Sequence, residues 1–168
     1  PHLESFIKSK NLKGKLVATA FRDKPGQSWS YKVYTYDYLG RVDYYWVKMA
    51  NKNWKVVINE YDNLGNVIKQ SVNNEFFVWN DYDEQGRLKE VRTNIPNAYT
   101  TAKIAAVYTY DKSDKITSVE YGSRVKPIMN YTYDTKGRLI DLDGIATDMF
   151  NTQFKETITY YDNDNIHT

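Results

Sequence analysis

Two pairs of carboxylates stand at a spacing that could do chemistry. Asp81 with Asp83, and Glu60 with Asp62, are two residues apart, which puts each pair on one side of an extended strand. A glycosidase holds two carboxyl groups roughly 5 to 9.5 Å apart across its substrate, and such i, i+2 neighbours fall in that range. Asp62 and Asp83, however, belong to a repeated turn motif, and turn closure accounts for their positions without catalysis. The expectation is therefore that the chain is not an enzyme, with a carboxylate-based glycoside hydrolase as the last of three readings.

Other catalytic and metal chemistries find few residues. His2 and His167 sit at the two ends, so a His-based triad or a two-His metal site would require the termini to meet. There is no cysteine, which removes disulfides, thiolate metal sites and cysteine nucleophiles together. No G-x-G-x-x-G or P-loop occurs among the eight glycines. Asp162-Asn163-Asp164-Asn165 opens like a calcium loop but lacks the glycine and distant glutamate that complete the shell, and reads better as a turn. No metal or cofactor is expected.

Two sets of side chains could hold a ligand. Arg41, Arg87, Lys115 and Arg138 recur at one repeat position, with Asn66 breaking the series. Stacked in register they would form a column for sulfate, phosphate or carboxylate groups. The plainer reading has them pair with motif Asp residues or lie on Tyr rings inside the fold. Trp29, Trp46, Trp54 and Trp79 lie between motifs, so the turn does not explain them. Exposed, they would stack on sugar rings; buried, they are core. Whether Trp46 and Trp54, which flank one hairpin tip, share a sheet side depends on loop parity.

These residues are positioned by a repeat. Tyr36-Asp37-Tyr38-Leu39-Gly40-Arg41-Val42 returns as Tyr61-Asp62-Asn63-Leu64-Gly65-Asn66-Val67, Tyr82-Asp83-Glu84-Gln85-Gly86-Arg87-Leu88 and Tyr133-Asp134-Thr135-Lys136-Gly137-Arg138-Leu139. Tyr110-Asp111-Lys112-Ser113-Asp114-Lys115-Ile116 keeps the spacing with Asp in place of Gly, and Tyr161-Asp162-Asn163-Asp164-Asn165-Ile166 reads as a shortened sixth copy. Asp at the start of a type I turn accepts backbone N–H bonds, and Gly at its end takes positive φ, which together mark a hairpin loop closing in a glycine bulge. Asp114 suits that place less well, so its turn should be the weakest of the full-length copies.

Between turns run aromatic and β-branched segments, in keeping with a chain that is 15% aromatic and holds sixteen Tyr. About 12 strands joined mostly by short loops must be antiparallel neighbours, hence an all-β meander of repeated hairpins. An open twisted sheet rarely exceeds about 10 strands, so a closed or strongly curled sheet is expected. Residues 1–14 form an N-terminal segment, a short helix carrying Leu3, Phe6 and Ile7 or else a linker, and residues 15–168 a single β-repeat domain.

The Y-D-x-x-G-R-φ signature resembles the Tyr-Asp repeats of RHS-type proteins and covers residues 31–166. The absent Cys and the Asn, Lys and Tyr usage also look like small exported proteins of Bacteroides and its relatives. In the RHS family long arrays wind into a β-shell around a toxin, and other Tyr-Asp repeat proteins are associated with carbohydrate binding. Six units are too few to enclose a domain, and only His167 and Thr168 follow the last copy, so no carboxy-terminal toxin is expected. The resemblance implies the hairpin unit and an exported location: periplasmic, cell-surface or extracellular. The chain opens on Pro1, so an upstream segment, with any signal peptide, is expected to have been removed.

Lys plus Arg number 23 against 21 for Asp plus Glu, too even a balance to demand nucleic acid or an anionic membrane. No apolar run approaches the roughly 20 residues of a membrane-spanning helix. The leading expectation is a non-enzymatic exported β-repeat module that binds a polysaccharide or another surface component through Trp29, Trp46, Trp54, Trp79, Arg41, Arg87 and Arg138 and through the loops at 93–101 and 143–151. The alternative is an assembly subunit that pairs through its sheet edges.

Overall fold

The aromatic and β-branched runs between the Tyr-Asp turns form strands. The computed structural model describes residues 12–22, 24–94, 103–123, 126–146 and 152–167. In chain order the strands are β1 (Ala18–Phe21), β2 (Ser30–Tyr36), β3 (Val42–Lys48), β4 (Lys55–Tyr61), β5 (Val67–Val72), β6 (Phe76–Tyr82) and β7 (Leu88–Thr93). They continue as β8 (Lys103–Tyr110), β9 (Ile116–Tyr121), β10 (Ile128–Tyr133), β11 (Leu139–Ile145), β12 (Gln153–Thr157), β13 (Thr159–Tyr160) and β14 (Ile166–His167). The all-β antiparallel meander stands as expected: β1 to β12 follow one another in a single sheet in sequence order, and β13 pairs with β14. The N-terminal helix expected around Leu3, Phe6 and Ile7 falls outside the described residues.

The expectation of a closed or strongly curled sheet is corrected. The strand order runs straight from β1 to β12, β12 does not return to pair with β1, and both end strands are exposed along their whole length. The pairings join sequence neighbours, so nothing in the hairpin repeat draws the two ends together. The sheet is open and not strongly curled.

Contacts divide the chain into two units, Pro1–Trp79 and Asn80–Thr168. In the second unit the register sorts side chains by chemistry. Tyr108 stands opposite Val119, Val119 opposite Met129, and Gly144 lies between Met129 and Phe154, all on one side with Tyr131 and Leu142. The other side carries the cross-strand line Thr109, Ser118, Asn130, Asp143 and Lys155. The second side is the more polar of the two, although Val107, Ile128 and Ile145 share it. Ala106 and Val119 are the second unit's buried apolar residues among those described, and Val33 and Val57 are those of the first unit. Four small side chains make a thin core, so most of the stability must come from the ladders, the turns and cross-strand pairs.

The turns match their expected chemistry. Gly40, Gly65, Gly86 and Gly137 sit at φ between 79° and 94°, and Asp114 adopts φ 62° in the same place. In the register of β2 with β3, β4 with β5, β8 with β9 and β10 with β11, one residue is skipped beside the motif Tyr. The bulge therefore recurs with the repeat. Replacement of Gly86 tests the backbone requirement alone, because a Cβ there would meet no atom within 4 Å. Gly86→Ala is expected to destabilise by about 1–2 kcal/mol, the cost of a left-handed alanine, in urea unfolding.

Candidate functional site: the turn latches and a ring-lined hollow

Each motif Asp closes its own turn. The Asp37 Oδ1 accepts the backbone N–H groups of Leu39 at 3.0 Å and Arg41 at 2.9 Å, and Gly40 N–H donates to the Asp37 carbonyl at 3.0 Å. The same bonds recur at Asp62, Asp83 and Asp111, and Arg138 N–H donates to Asp134 Oδ1. The second carboxylate oxygen takes the motif side chain: Arg41, Arg87 and Arg138 donate through Nε at 2.7 Å, and Asn66 donates through Nδ2 at 2.9 Å.

The motif Tyr has a separate task. The ladder between β3 and β4 ends at Tyr44, which leaves the Val42 carbonyl without a strand partner, and the Tyr61 hydroxyl donates to it at 2.6 Å. The same rule joins Tyr36 to Leu16, Tyr110 to Leu88, Tyr133 to Ile116 and Tyr160 to Leu139 at 2.7 to 3.0 Å. Each ring is covered by the cation of the preceding turn. Arg41 lies 4.4 Å from the Tyr61 centroid, Arg87 4.6 Å from Tyr110, Lys115 5.1 Å from Tyr133 and Arg138 4.4 Å from Tyr160. A rigid phenol both reaches a carbonyl with its hydroxyl and offers its ring face to a cation.

This geometry changes how the repeat is read at both ends. Tyr161 N–H donates to the Asn165 carbonyl and Asp164 N–H to the Tyr161 carbonyl, the bonds made by Asp37 and Gly40 in the first copy. The sixth copy is thus full length and starts at Tyr160, with Tyr161 in the Asp place and Asp164, at φ 66°, in the Gly place. The reading as a shortened copy from Tyr161 is corrected; adjacent tyrosines hid the register. Asp114 and Asp164, the two residues in the Gly place, each accept a bond from the Arg one turn earlier, Arg87 and Arg138. Ahead of the first copy, Lys15 N–H donates to the Leu12 carbonyl, Gly14 has φ 73°, and Lys15 lies 5.3 Å from the Tyr36 ring. Leu12-Lys13-Gly14-Lys15-Leu16 is the second half of a motif, a signal present in the chain and overlooked for want of its Tyr and Asp.

Register also places the tryptophans. Trp46 stands opposite Val33 and Val56, and Trp79 opposite Lys69, which pairs with Glu60. Following the two-residue alternation, Trp46, Trp54 and Trp79 share one side of the first unit. Trp46 stacks on Tyr44 and Trp79 on Phe77, each half-buried. Trp54 lies at the β3–β4 tip, 6.2 Å from the Tyr31 ring, and Trp29 precedes β2 with Arg22 4.8 Å over it. Trp29, Tyr31, Lys48 and the tip residues Asn51, Lys52 and Asn53 line a hollow of about 390 Å³ with Ser28. The loop residues 95–101 and 147–151 lie outside the described residues, while 143–145 belong to β11.

No protein-family model matches the chain, and no curated protein is significantly similar to it. Solved structures do share its fold. A chain of the Photorhabdus luminescens Tc holotoxin pore is similar over 91% of this chain and 8% of its own, with 15% identity and TM-score 0.71. A chain of the TcdB2-TccC3-Cdc42 structure is similar over 83% of this chain and 7% of its own, with 14% identity and TM-score 0.69. In TcdB2-TccC3-TEV the figures are 94%, 11%, 16% and 0.63. This chain therefore spans about a tenth or less of those chains, and the likeness is one of fold.

The carboxylates first considered for catalysis are engaged elsewhere. Asp81 accepts from Arg92 at 2.5 Å and Glu60 from Lys69 at 2.7 Å, while Asp62 and Asp83 close turns. The Asp162–Asn165 run forms the sixth turn, with Asn165 N–H donating to Asn163 Oδ1 at 3.2 Å. No helix among the described residues is long and apolar enough to cross a membrane.

The turn bonds hold the motif carboxyls below the usual carboxylate range. At Asp37 and Asp83 partial burial pushes upward, and bonds from Arg41 and Arg87 outweigh it. At Asp62 the Asn66 side chain leads; at Asp111 and Asp134 the backbone N–H of Lys115 and Arg138 leads. A carboxyl depressed by folding adds stability that is present above its unfolded value, about 3.9, and lost as pH falls through its folded value. Melting temperature should therefore hold from pH 7 to about 4 and drop below it, with a shallower drop in Asp111→Asn. The Tyr latch has its own test. Tyr110→Phe should cost about 0.5–1.5 kcal/mol in urea unfolding by stranding the Leu88 carbonyl, whereas Tyr38→Phe, on a ring 92% exposed, should cost nothing measurable.

Proposed function

We propose that this chain is a structural, non-catalytic β-repeat module, a stretch of sheet wall belonging to a larger protein assembly. The observation that carries the reading is the latch: motif Asp, Tyr and cation are all used in joining one hairpin to the next. Residues with that role are not held in reserve for turnover. The fold likeness to Tc-toxin chains, of which this chain spans a small fraction, supports a wall segment, as does the β-shell implied by the RHS resemblance.

Protein partners and an exported location are part of this proposal. The exposed strands β1 and β12 are the places where a partner strand would add. A polysaccharide ligand draws no support from the comparisons, and Arg41, Arg87 and Arg138 are assigned to the repeat rather than to a ligand.

A wall built of neighbour contacts tolerates loss of a unit, because repeat stability is roughly a sum of local and nearest-neighbour terms. Deleting residues 111–133 joins Tyr110 directly to Asp134 and restores an intact motif. The shortened chain is expected to fold, with a urea m-value lowered roughly in proportion to the residues removed. Loss of cooperative unfolding in that variant would show that the sheet works as one indivisible structure and would overturn the module reading.

A further inference from the structure

Among the described arginines Arg41 pairs with Asp37, Arg87 with Asp83, Arg92 with Asp81 and Arg138 with Asp134, whereas Arg22 lies over the Trp29 ring. Three cations stand together at the rim opposite the Tyr-Asp turns. Arg22, Lys48 and Lys52 gather around the hollow at the β3–β4 tip, and no described carboxylate lines it or pairs with them. Three aromatic rings stand among them, Trp29 42% exposed, Tyr31 37% and Trp54 40%, on a loop rim where nothing in the turn repeat demands an aromatic residue. Lys48, opposite Tyr31 in the register, lies 6.0 Å from the Trp54 centroid, and the Trp54 and Tyr31 rings are 6.2 Å apart, so the cation and the two rings cluster.

We propose that this hollow binds an acidic peptide segment of a partner protein, one that alternates carboxylates with apolar residues. Half-exposed Trp and Tyr rings offer large contact area at low entropic cost, and cations with no described carboxylate partner beside them select acidic over basic segments. The hydrogen-bonding inventory favours a peptide over a sugar. Sugar hydroxyls need acceptors, and the lining offers no carboxylate: the Asn51 Oδ1 already accepts from Ser28 at 2.8 Å, which leaves the neutral oxygens of Asn53, Ser28 and Tyr31. Lys48 and Lys52 are donors only, which suits a ligand rich in carboxylate and carbonyl oxygens.

The test uses the full chain and a fluorescein-labelled peptide of repeated Glu-Pro-Glu-Leu, followed by anisotropy. Saturable binding is expected, weakened at least tenfold by Trp29→Ala and by Lys48→Ala and reduced by added salt. Both positions lie at the rim, and an unchanged circular dichroism spectrum confirms that the variants fold. A repeated Lys-Pro-Lys-Leu peptide is expected not to bind, and an acidic Glu-Ser-Glu-Gly peptide to bind at least tenfold more weakly. No saturable binding, equal binding of Glu-Ser-Glu-Gly, or indifference to both substitutions overturns the proposal. Displacement of the peptide by a lower concentration of tetragalacturonate overturns it in favour of a saccharide site.

Discussion

A hairpin that turns through a bulge leaves backbone groups without a ladder partner, and the organisation of this protein follows from how those groups are satisfied. The strand after each Tyr-Asp turn meets its next neighbour only two residues further on, as at Tyr44 and Ser118, so the carbonyl of the apolar motif residue lies beyond the end of that ladder. A buried carbonyl left unpaired costs on the order of 1–3 kcal/mol. The hydroxyl of the next motif Tyr supplies a donor, as Tyr133 does for Ile116 and as Tyr61 does, together with Asn59 Nδ2, for Val42. Successive hairpins are thereby tied at a fixed spacing, one repeat to the next.

The cation completes the tie and explains why Asp, Arg and Tyr travel together. Arg41 is anchored at one end by Asp37 of its own turn and lies over Tyr61 of the next, and its Nη1 donates to the Asp62 carbonyl at 3.1 Å. Lysine serves where the geometry allows a point charge, as at Lys115 over Tyr133 and Lys15 over Tyr36. Arg87 and Arg138 show the compensation built into the degenerate turns: where Asp stands in the Gly place, its carboxylate falls beside the preceding guanidinium. The strained left-handed Asp114 thus gains a partner that Gly would not have, although at 72% exposure the pair adds little. Its turn keeps the same bonds as the others, with Asp114 N–H donating to the Asp111 carbonyl at a longer 3.3 Å.

A sheet assembled this way needs only a thin core. Val33, Val57, Ala106 and Val119 are small, and the large aromatics lie half-exposed on the sheet surfaces rather than between layers. The division of labour is spatial. One rim carries the turns and is uniform because each turn must fit its neighbours; the other carries loops of unequal length, free to depart from the repeat. Trp29, Lys48 and Lys52 belong to that second rim.

The amino-acid sequence by itself determined the strands, the antiparallel meander and the turn chemistry, because Asp, Gly and alternating aromatics act locally and within a few residues. It also accounted for the positions of Asp62 and Asp83, since turn closure is a local property. Only the tertiary structure decided what depends on neighbours distant in sequence. It showed why Tyr is in the motif, that the last copy begins at Tyr160, and that a half-motif at Leu12–Leu16 precedes the first. It put Trp46, Trp54 and Trp79 on one side, which loop parity alone left open, and brought Trp29, Tyr31 and Trp54 together at the rim. Whether the sheet closes was likewise beyond local reading, because closure is a pairing between β1 and β12, and neither strand's residues encode the position of the other.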